Sequence, residues 1–360
     1  MKTTIERRWS LWQRLLIKSL FGLCCLLLIV FLAIWVVFPL VFMNSLSIQS
    51  FFMFMNTQDP KNPEFNNPEK YGIEGVINFY ITTKDIDNST SVRIGAWVVL
   101  PETEINTTNY KAHNDSSNAA YVMKNTAYPI LLYLHGVACN RISSVSKYKI
   151  ARKSFMVIAV DHRGYGDSCS GLELSELGIV SDTAQIYKWI GSHTKNEIFV
   201  WGHSLGAALG THAIKVLKED GTIIPTGLIL ESAFTTMREE VANSGIGKLF
   251  KWLLYFEQTV LEPLERNGFI FNTSNNILSV DCPIMIMHAE DDNVVPCFMG
   301  RKLNEIAQTQ RDIATKGKVT YYEFPALLGY SHNGITEDTN ITKYIEIFKA
   351  QCQEQNKVAA

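Results

Sequence analysis

Five residues, Gly202-His203-Ser204-Leu205-Gly206, constrain this chain more than any others because of what flanks them. Before them, Glu197-Ile198-Phe199-Val200-Trp201 is an apolar, β-branched run that predicts a buried strand; after them, Ala207-Ala208-Leu209-Gly210 predicts a helix. A serine at such a corner takes strained backbone angles, and the following helix comes so close that side chains at Gly202 and Gly206 would clash. The turn pushes the hydroxyl out above the sheet edge, at a helix N-terminus. The pattern therefore predicts a nucleophile rather than an ordinary glycine-flanked turn.

A corner of this kind needs a parallel sheet around it. Ile130-Leu131-Leu132-Tyr133-Leu134, Met156-Val157-Ile158-Ala159-Val160, Leu228-Ile229-Leu230, Ile284-Met285-Ile286-Met287 and Val319-Thr320-Tyr321-Tyr322 are short continuous apolar runs separated by helix-length segments. Continuous rather than alternating hydrophobicity means burial on both faces, hence an α/β fold: a mostly parallel sheet flanked by helices. Two alternating runs, 75–81 and 91–101, predict an antiparallel hairpin before it, and the Asn/Ser/Thr-rich stretch 102–125 reads as a long surface loop.

In such sheets chemistry gathers at the carboxyl ends of the strands. The run ending at Leu134 is followed by His135-Gly136-Val137-Ala138-Cys139, so the backbone N–H groups of Val137 and Leu205 are the expected oxyanion donors. Asp161-His162-Arg163-Gly164-Tyr165-Gly166-Asp167 ends the next strand; its Asp161, Arg163 and Asp167 are expected to pair with one another and fix a loop, and His162 to play no catalytic part. After Met287 stands His288-Ala289-Glu290-Asp291-Asp292-Asn293-Val294-Val295-Pro296, and the Asp-x-x-Val-Pro spacing favours Asp292 over Asp291 as the acid. His332 is the one histidine beyond it. The order Ser204, Asp292, His332 is the one this fold uses for nucleophile, acid and base, and it needs neither cofactor nor metal.

The N-terminal region adds a membrane. From Leu20 to Met43 no residue is charged, long enough for a helix to cross a hydrocarbon core, which takes about 20 residues. A cleaved signal peptide has a shorter core, about 7 to 15 residues, and a small-x-small site. Lys2, Arg7, Arg8, Arg14 and Lys18 precede the run and no basic residue follows until Lys61, which predicts a cytosolic N-terminus and a lumenal or extracellular remainder. Potential N-glycan acceptors at Asn88, Asn106, Asn114, Asn272 and Asn340 agree with that side. The seven cysteines form no Cys-x-x-Cys pair, and 33 basic against 35 acidic residues leave no footprint for nucleic acid.

The expected organisation is a basic tail 1–19, a transmembrane helix 20–43, a polar juxtamembrane linker 44–70, a hydrolase domain 71–350 and a C-terminal tail 351–360. Within the domain, an insertion at about 235–281 is longer than a plain crossover and reads as a helical lid. Its cluster Leu249-Phe250-Lys251-Trp252-Leu253-Leu254-Tyr255-Phe256 packs on the core as a lid helix or faces the membrane as an entry surface, and the two can hold together.

Several motifs together resemble one family. Gly202-His203-Ser204-Leu205-Gly206 after Val200-Trp201, Leu228-Ile229-Leu230-Glu231-Ser232, Arg238-Glu239-Glu240, His288 to Asp292 with Val294-Val295-Pro296, Gly300-Arg301-Lys302-Leu303, and Leu328-Gly329-Tyr330 before His332 are similar to the abhydrolase-domain-twelve lipases. The resemblance runs from about Val76 to Phe348. It implies an α/β-hydrolase fold and a membrane-anchored serine hydrolase acting on lysophosphatidylserine and monoacylglycerol, with Ser204, Asp292 and His332 as its triad. The expected location is the endoplasmic reticulum membrane, with the plasma membrane as the alternative. Two positions depart from the family pattern: the oxyanion loop usually reads His-Gly-Asn-Ala-Gly, and a basic residue often stands where this chain has Ser331. A protein-depalmitoylating thioesterase on the same fold, or a non-catalytic adhesion module, are the competing expectations.

Overall fold

The computed structural model describes residues 2–56, 60, 62–106, 116–169, 171–312 and 315–359. Eight strands form one sheet in the order β1-β2-β4-β3-β5-β6-β7-β8. They are β1 (Val76–Lys84), β2 (Ser91–Val99), β3 (Ile130–Leu134), β4 (Met156–Val160), β5 (Ile198–His203), β6 (Gly227–Glu231), β7 (Ile284–Ala289) and β8 (Val319–Phe324). The pairs β1–β2 and β2–β4 are antiparallel and every pair beyond them is parallel, as the two kinds of hydrophobic pattern predict. Strands β3 to β7 are buried along their whole length, whereas the edge strand β8 is buried only at Phe324.

The helices are α1 (Lys2–Leu32), α2 (Phe38–Asn44), α3 (Leu46–Phe54), α4 (Ser116–Asn125), α5 (Val145–Ala151), α6 (Glu176–His193), α7 (Leu205–Glu219), α8 (Met237–Asn243), α9 (Gly245–Phe250), α10 (Glu262–Arg266), α11 (Thr273–Asn276), α12 (Phe298–Thr309) and α13 (Ile341–Ala359). Two layers of core lie on either face of the sheet. One gathers Ile77, Leu132, Ile158, Val200 and Leu230 against α6 and α7; the other gathers Leu131, Tyr133, Phe199, Trp201 and Met285 against α5 and α13. Alternate residues of each strand go to opposite layers, as strand geometry requires.

Helix α1 continues through a π-helical segment, Ala33–Val37, into α2, so that Leu11–Asn44 forms one apolar helix of 34 residues, long and apolar enough to cross a membrane. Leu20, Phe21, Leu26, Leu27 and Ile29 along it are all more than half exposed to the surroundings, which suits a hydrocarbon solvent rather than water.

Four expectations need correction. The juxtamembrane stretch is not a loose linker, because Leu46–Phe54 is helix α3 with Gln49, Met53 and Phe54 buried; the turn-forming residues begin only after it. The surface loop 102–125 ends in helix α4, whose Ala119, Val122 and Met123 recur at helical spacing and pack towards β1 and α6, while 107–115 lie outside the described residues. Asp161, Arg163 and Asp167 do not pair mutually: Arg141 reaches both aspartates, and Arg163 turns away to Asp182 and Asp85. The C-terminal tail is the last part of α13, with Cys352 buried. In each case a tertiary partner far along the chain decides the outcome.

Candidate active site

Ser204 stands between β5 and α7 at φ 53° and ψ −117°. That backbone conformation costs a residue with a Cβ about 1–3 kcal/mol and persists only where its surroundings hold it. Three contacts do so. The Ser204 N–H donates to the Glu231 carbonyl at 2.9 Å. A methyl at Gly202 would lie 2.5 Å from Cα of Ala207, and one at Gly206 would run into the Leu134 carbonyl, so the helix packs on the corner only because both are glycine. Beneath, the fully buried Glu231 carboxylate accepts from Trp201 Nε1 at 3.0 Å and is neutralised by Lys147.

The loop after β7 carries Asp292, and the loop after β8 carries His332. His332 Nδ1 lies 2.8 and 3.0 Å from the two carboxylate oxygens of Asp292. Asp291, the alternative acid, instead accepts the Ser331 N–H at 3.0 Å. Asp292 Oδ1 also accepts the N–H groups of Val294 and Val295, both at 2.9 Å, and Oδ2 faces His288 Nε2 at 3.3 Å. Burial pushes the Asp292 carboxyl up, but the hydrogen bonds from His288 and His332 outweigh it and hold the group well below the usual carboxylate range. A permanently ionised, orientated acceptor on Nδ1 leaves Nε2 as the basic nitrogen of His332.

Ser204 and His332 line one cavity of about 390 Å³, within the usual range for small-molecule sites, roughly 300–1,000 Å³. Val137 lines it too, and a Cβ at Gly136 would lie 3.2 Å from that of Ser204, so the loop after β3 runs directly against the Ser204 corner. Leu205 is the first, fully buried residue of α7. The cavity wall is aromatic and aliphatic: Phe38, Phe42, Phe52, Phe234, Met237 and Phe250 contribute, and among the described residues no lysine or arginine lines it. One carboxyl group, Glu240, faces in from α8; burial and then the nearby Asp292 charge push it up to about 7.

Three other histidines near the site, His135, His162 and His203, are buried, and burial lowers the pKa of each. His162 Nε2 meets the His135 carbonyl at 3.0 Å, and burial drives both rings down, His135 to about 4. His203, beside Ser204, bonds through Nε2 to the His332 carbonyl at 3.0 Å, and burial followed by the Lys147 charge lowers it. His203 and His288 thus brace the loops of His332 and Asp292. Sequence reasoning missed both roles, since nothing local marks them; so too with Glu240, although it sits in the noted Arg238-Glu239-Glu240 motif.

Comparisons with known proteins agree with this architecture. Residues 127–280 match the family described as serine aminopeptidase, S33. An α/β hydrolase from Vibrio vulnificus superposes with a TM-score of 0.57 over 85% of this chain and 92% of that one at 15% identity; an esterase from Pyrococcus furiosus does so with 0.52 over 85% and 98%, also at 15%. The fold is therefore that of the α/β hydrolases. In sequence, the chain is 31% identical to the lysophosphatidylserine lipase ABHD12 of Xenopus tropicalis, covering 97% of this chain and 86% of that protein. The rat protein of the same name is 30% identical over 99% and 85%, and the human protein ABHD12B 30% identical over 76% and 71%. The chain belongs to the ABHD12 family, and it is a carboxylic ester hydrolase of the α/β-hydrolase fold.

Proposed function

We propose that this protein is a membrane-anchored serine hydrolase that cleaves the acyl ester of single-chain lipids, lysophosphatidylserine and other lysophospholipids or monoacylglycerol, through an acyl-enzyme. The observation that carries the reading is the Asp292–His332 pair facing, with Ser204, an apolar cavity beside a membrane-length helix. His332 Nε2 takes the Ser204 proton as Oγ attacks the ester carbonyl. The oxyanion that forms is held by the N–H groups of Val137 and Leu205. His332 then returns the proton to the leaving alcohol, and water, activated the same way, releases the fatty acid and restores Ser204. Asp292 stays ionised throughout and stabilises the imidazolium.

The charge bias around the anchor supports a cytosolic N-terminus and a lumenal or extracellular catalytic domain, in the endoplasmic reticulum membrane or at the plasma membrane. The segment between β6 and β7, α8 to α11, serves as the lid.

The test is a panel of lysophospholipids, monoacylglycerols and an acylated peptide thioester, assayed in membranes carrying the wild type or Ser204→Ala. Wild-type membranes should hydrolyse the lipids and label with a fluorophosphonate probe, and Ser204→Ala membranes should do neither. Full activity and labelling of Ser204→Ala would falsify the assignment; preference for the thioester would move the substrate to acylated proteins.

A further inference from the structure

The end of the membrane helix forms part of the wall of the catalytic cavity. Phe38 and Phe42 of α2, with Phe52 and Met53 of α3, line the same space as Ser204 and His332. These residues are not loosely apposed. Phe42, Met53 and Phe54 share one core with Leu205, Ala208 and Leu209 of α7, the helix that begins at the nucleophile. Gln49, fully buried, donates to the Phe42 carbonyl at 2.8 Å and accepts from Asn267 Nδ2 at 2.7 Å. The Tyr165 hydroxyl donates to the Phe54 carbonyl.

The insertion closes the other side of the cavity and grips the same helix. Phe250 packs on Phe38 with ring centroids 5.7 Å apart, and Trp252 faces Trp35 at 6.4 Å. Trp35 Nε1 donates to the Leu249 carbonyl at 3.3 Å, and the Tyr255 hydroxyl donates to the Trp35 carbonyl. That carbonyl is available for a reason written in the sequence: its α-helical partner would be the N–H of residue 39, which is Pro39. The π-helical segment Ala33–Val37, ending in the Phe38 N–H to Ala33 carbonyl bond, lies on the same turns.

Length fixes where this happens relative to a bilayer. An apolar helix of 34 residues spans about 51 Å, some 20 Å more than a hydrocarbon core of about 30 Å requires. With Arg14 and Lys18 held at one surface, about 20 residues bring the helix to the other surface near Phe38 and Pro39. The exposed apolar face of the insertion, Leu249, Trp252 and Leu254, the last 98% exposed, lies beside that point. An apolar face next to a membrane helix is a surface for lipid.

We propose that the anchor is a substrate-binding element: the acyl chain of a lipid passes from the bilayer between the membrane helix and the insertion, and lies against Phe38, Phe42, Phe52 and Phe250 while its ester reaches Ser204. The inference rests on the ester-hydrolase reading above and adds to it the path and the wall. A chain leaving the bilayer here crosses no water, so its transfer has no hydrophobic penalty to overcome.

The experiment uses the full-length protein in liposomes and an alkyl fluorophosphonate of oleoyl length with a photoreactive diazirine in mid-chain. After labelling and irradiation, the cross-linked peptide should fall within residues 31–56 or 245–256. A cross-link confined to other parts of the domain overturns the proposal. Failure of the probe to label Ser204 at all overturns the hydrolase reading instead, which separates the two. In parallel, Phe38→Asn and Phe52→Asn should lower the ratio of kcat/KM for 1-oleoylglycerol to that for p-nitrophenyl acetate by about tenfold or more. An unchanged ratio, whatever happens to both rates together, also overturns it.

Discussion

Ser204 occupies its strained corner because Glu231 and two glycines hold it there, so the chemistry of its hydroxyl can be removed without disturbing the fold. Asp292→Asn keeps the shape of the side chain but cannot stabilise an imidazolium, and it favours the wrong His332 tautomer, so kcat should fall about 10³–10⁴-fold; steady-state kinetics on a soluble ester measure it. Glu240 offers a separate test in pH. Its carboxyl rises from 4.5 unfolded to about 7 folded, because burial and Asp292 both oppose its charge. The fold therefore favours the protonated form. That contribution is fully present below pH 4.5 and is lost as pH rises through about 7, by an amount on the order of 2 kcal/mol. Denaturation of Glu240→Gln across pH 5 to 8 should show this decline abolished and the variant more stable than wild type at pH 8; parallel curves for the two proteins would refute it.

Elements bring the parts together through close backbone approach. Helix α7 rests on β5 only because Gly202 and Gly206 admit it, and a methyl at either forces the helix off the sheet. Gly206→Ala, which meets the Leu134 carbonyl, should destabilise by about 3 kcal/mol or more and abolish fluorophosphonate labelling, as thermal melting and gel labelling can determine. The insertion between β6 and β7 resolves an ambiguity of its aromatic cluster in both directions at once. Phe250, Leu253 and Phe256 turn into a core of their own, while Leu249, Trp252 and Leu254 face out. Successive turns, in which the Leu253 N–H donates to the Phe250 carbonyl and the Phe256 N–H to the Leu253 carbonyl, give residues three apart to the protein and leave those between to the surroundings.

On the scale of the whole molecule, the anchor and the catalytic domain are one packed body at the level of α2 and α3. Topology is the property to test here. Asn88, Asn106 and Asn340 are exposed, whereas Asn272 caps α11 through its own side chain, which accepts the Asn275 N–H at 3.0 Å. Lumenal placement therefore predicts glycans at Asn88, Asn106 and Asn340, seen as a mobility shift on glycosidase treatment that Asn88→Gln, Asn106→Gln and Asn340→Gln each reduce by a step. The catalytic domain should also resist protease added to intact microsomes. A domain that is digested and carries no glycan would place it in the cytosol.

Sequence alone determined the fold class, the strands β3 to β8, the membrane-length helix and the candidate residues at the strand ends. These depend on local pattern: burial on both faces demands continuous apolar runs, and a strand-to-helix corner demands small residues at fixed spacing. Only the tertiary structure shows which of Asp291 and Asp292 meets His332, since neighbours in sequence point to opposite sides of a loop and Asp292 alone makes that contact. It alone brought Arg141 to Asp161 and Asp167, His288 to Asp292, and Phe38, Phe42 and Phe52 to the cavity of Ser204. No local pattern encodes such meetings, because each joins side chains whose positions are set by how separate elements pack.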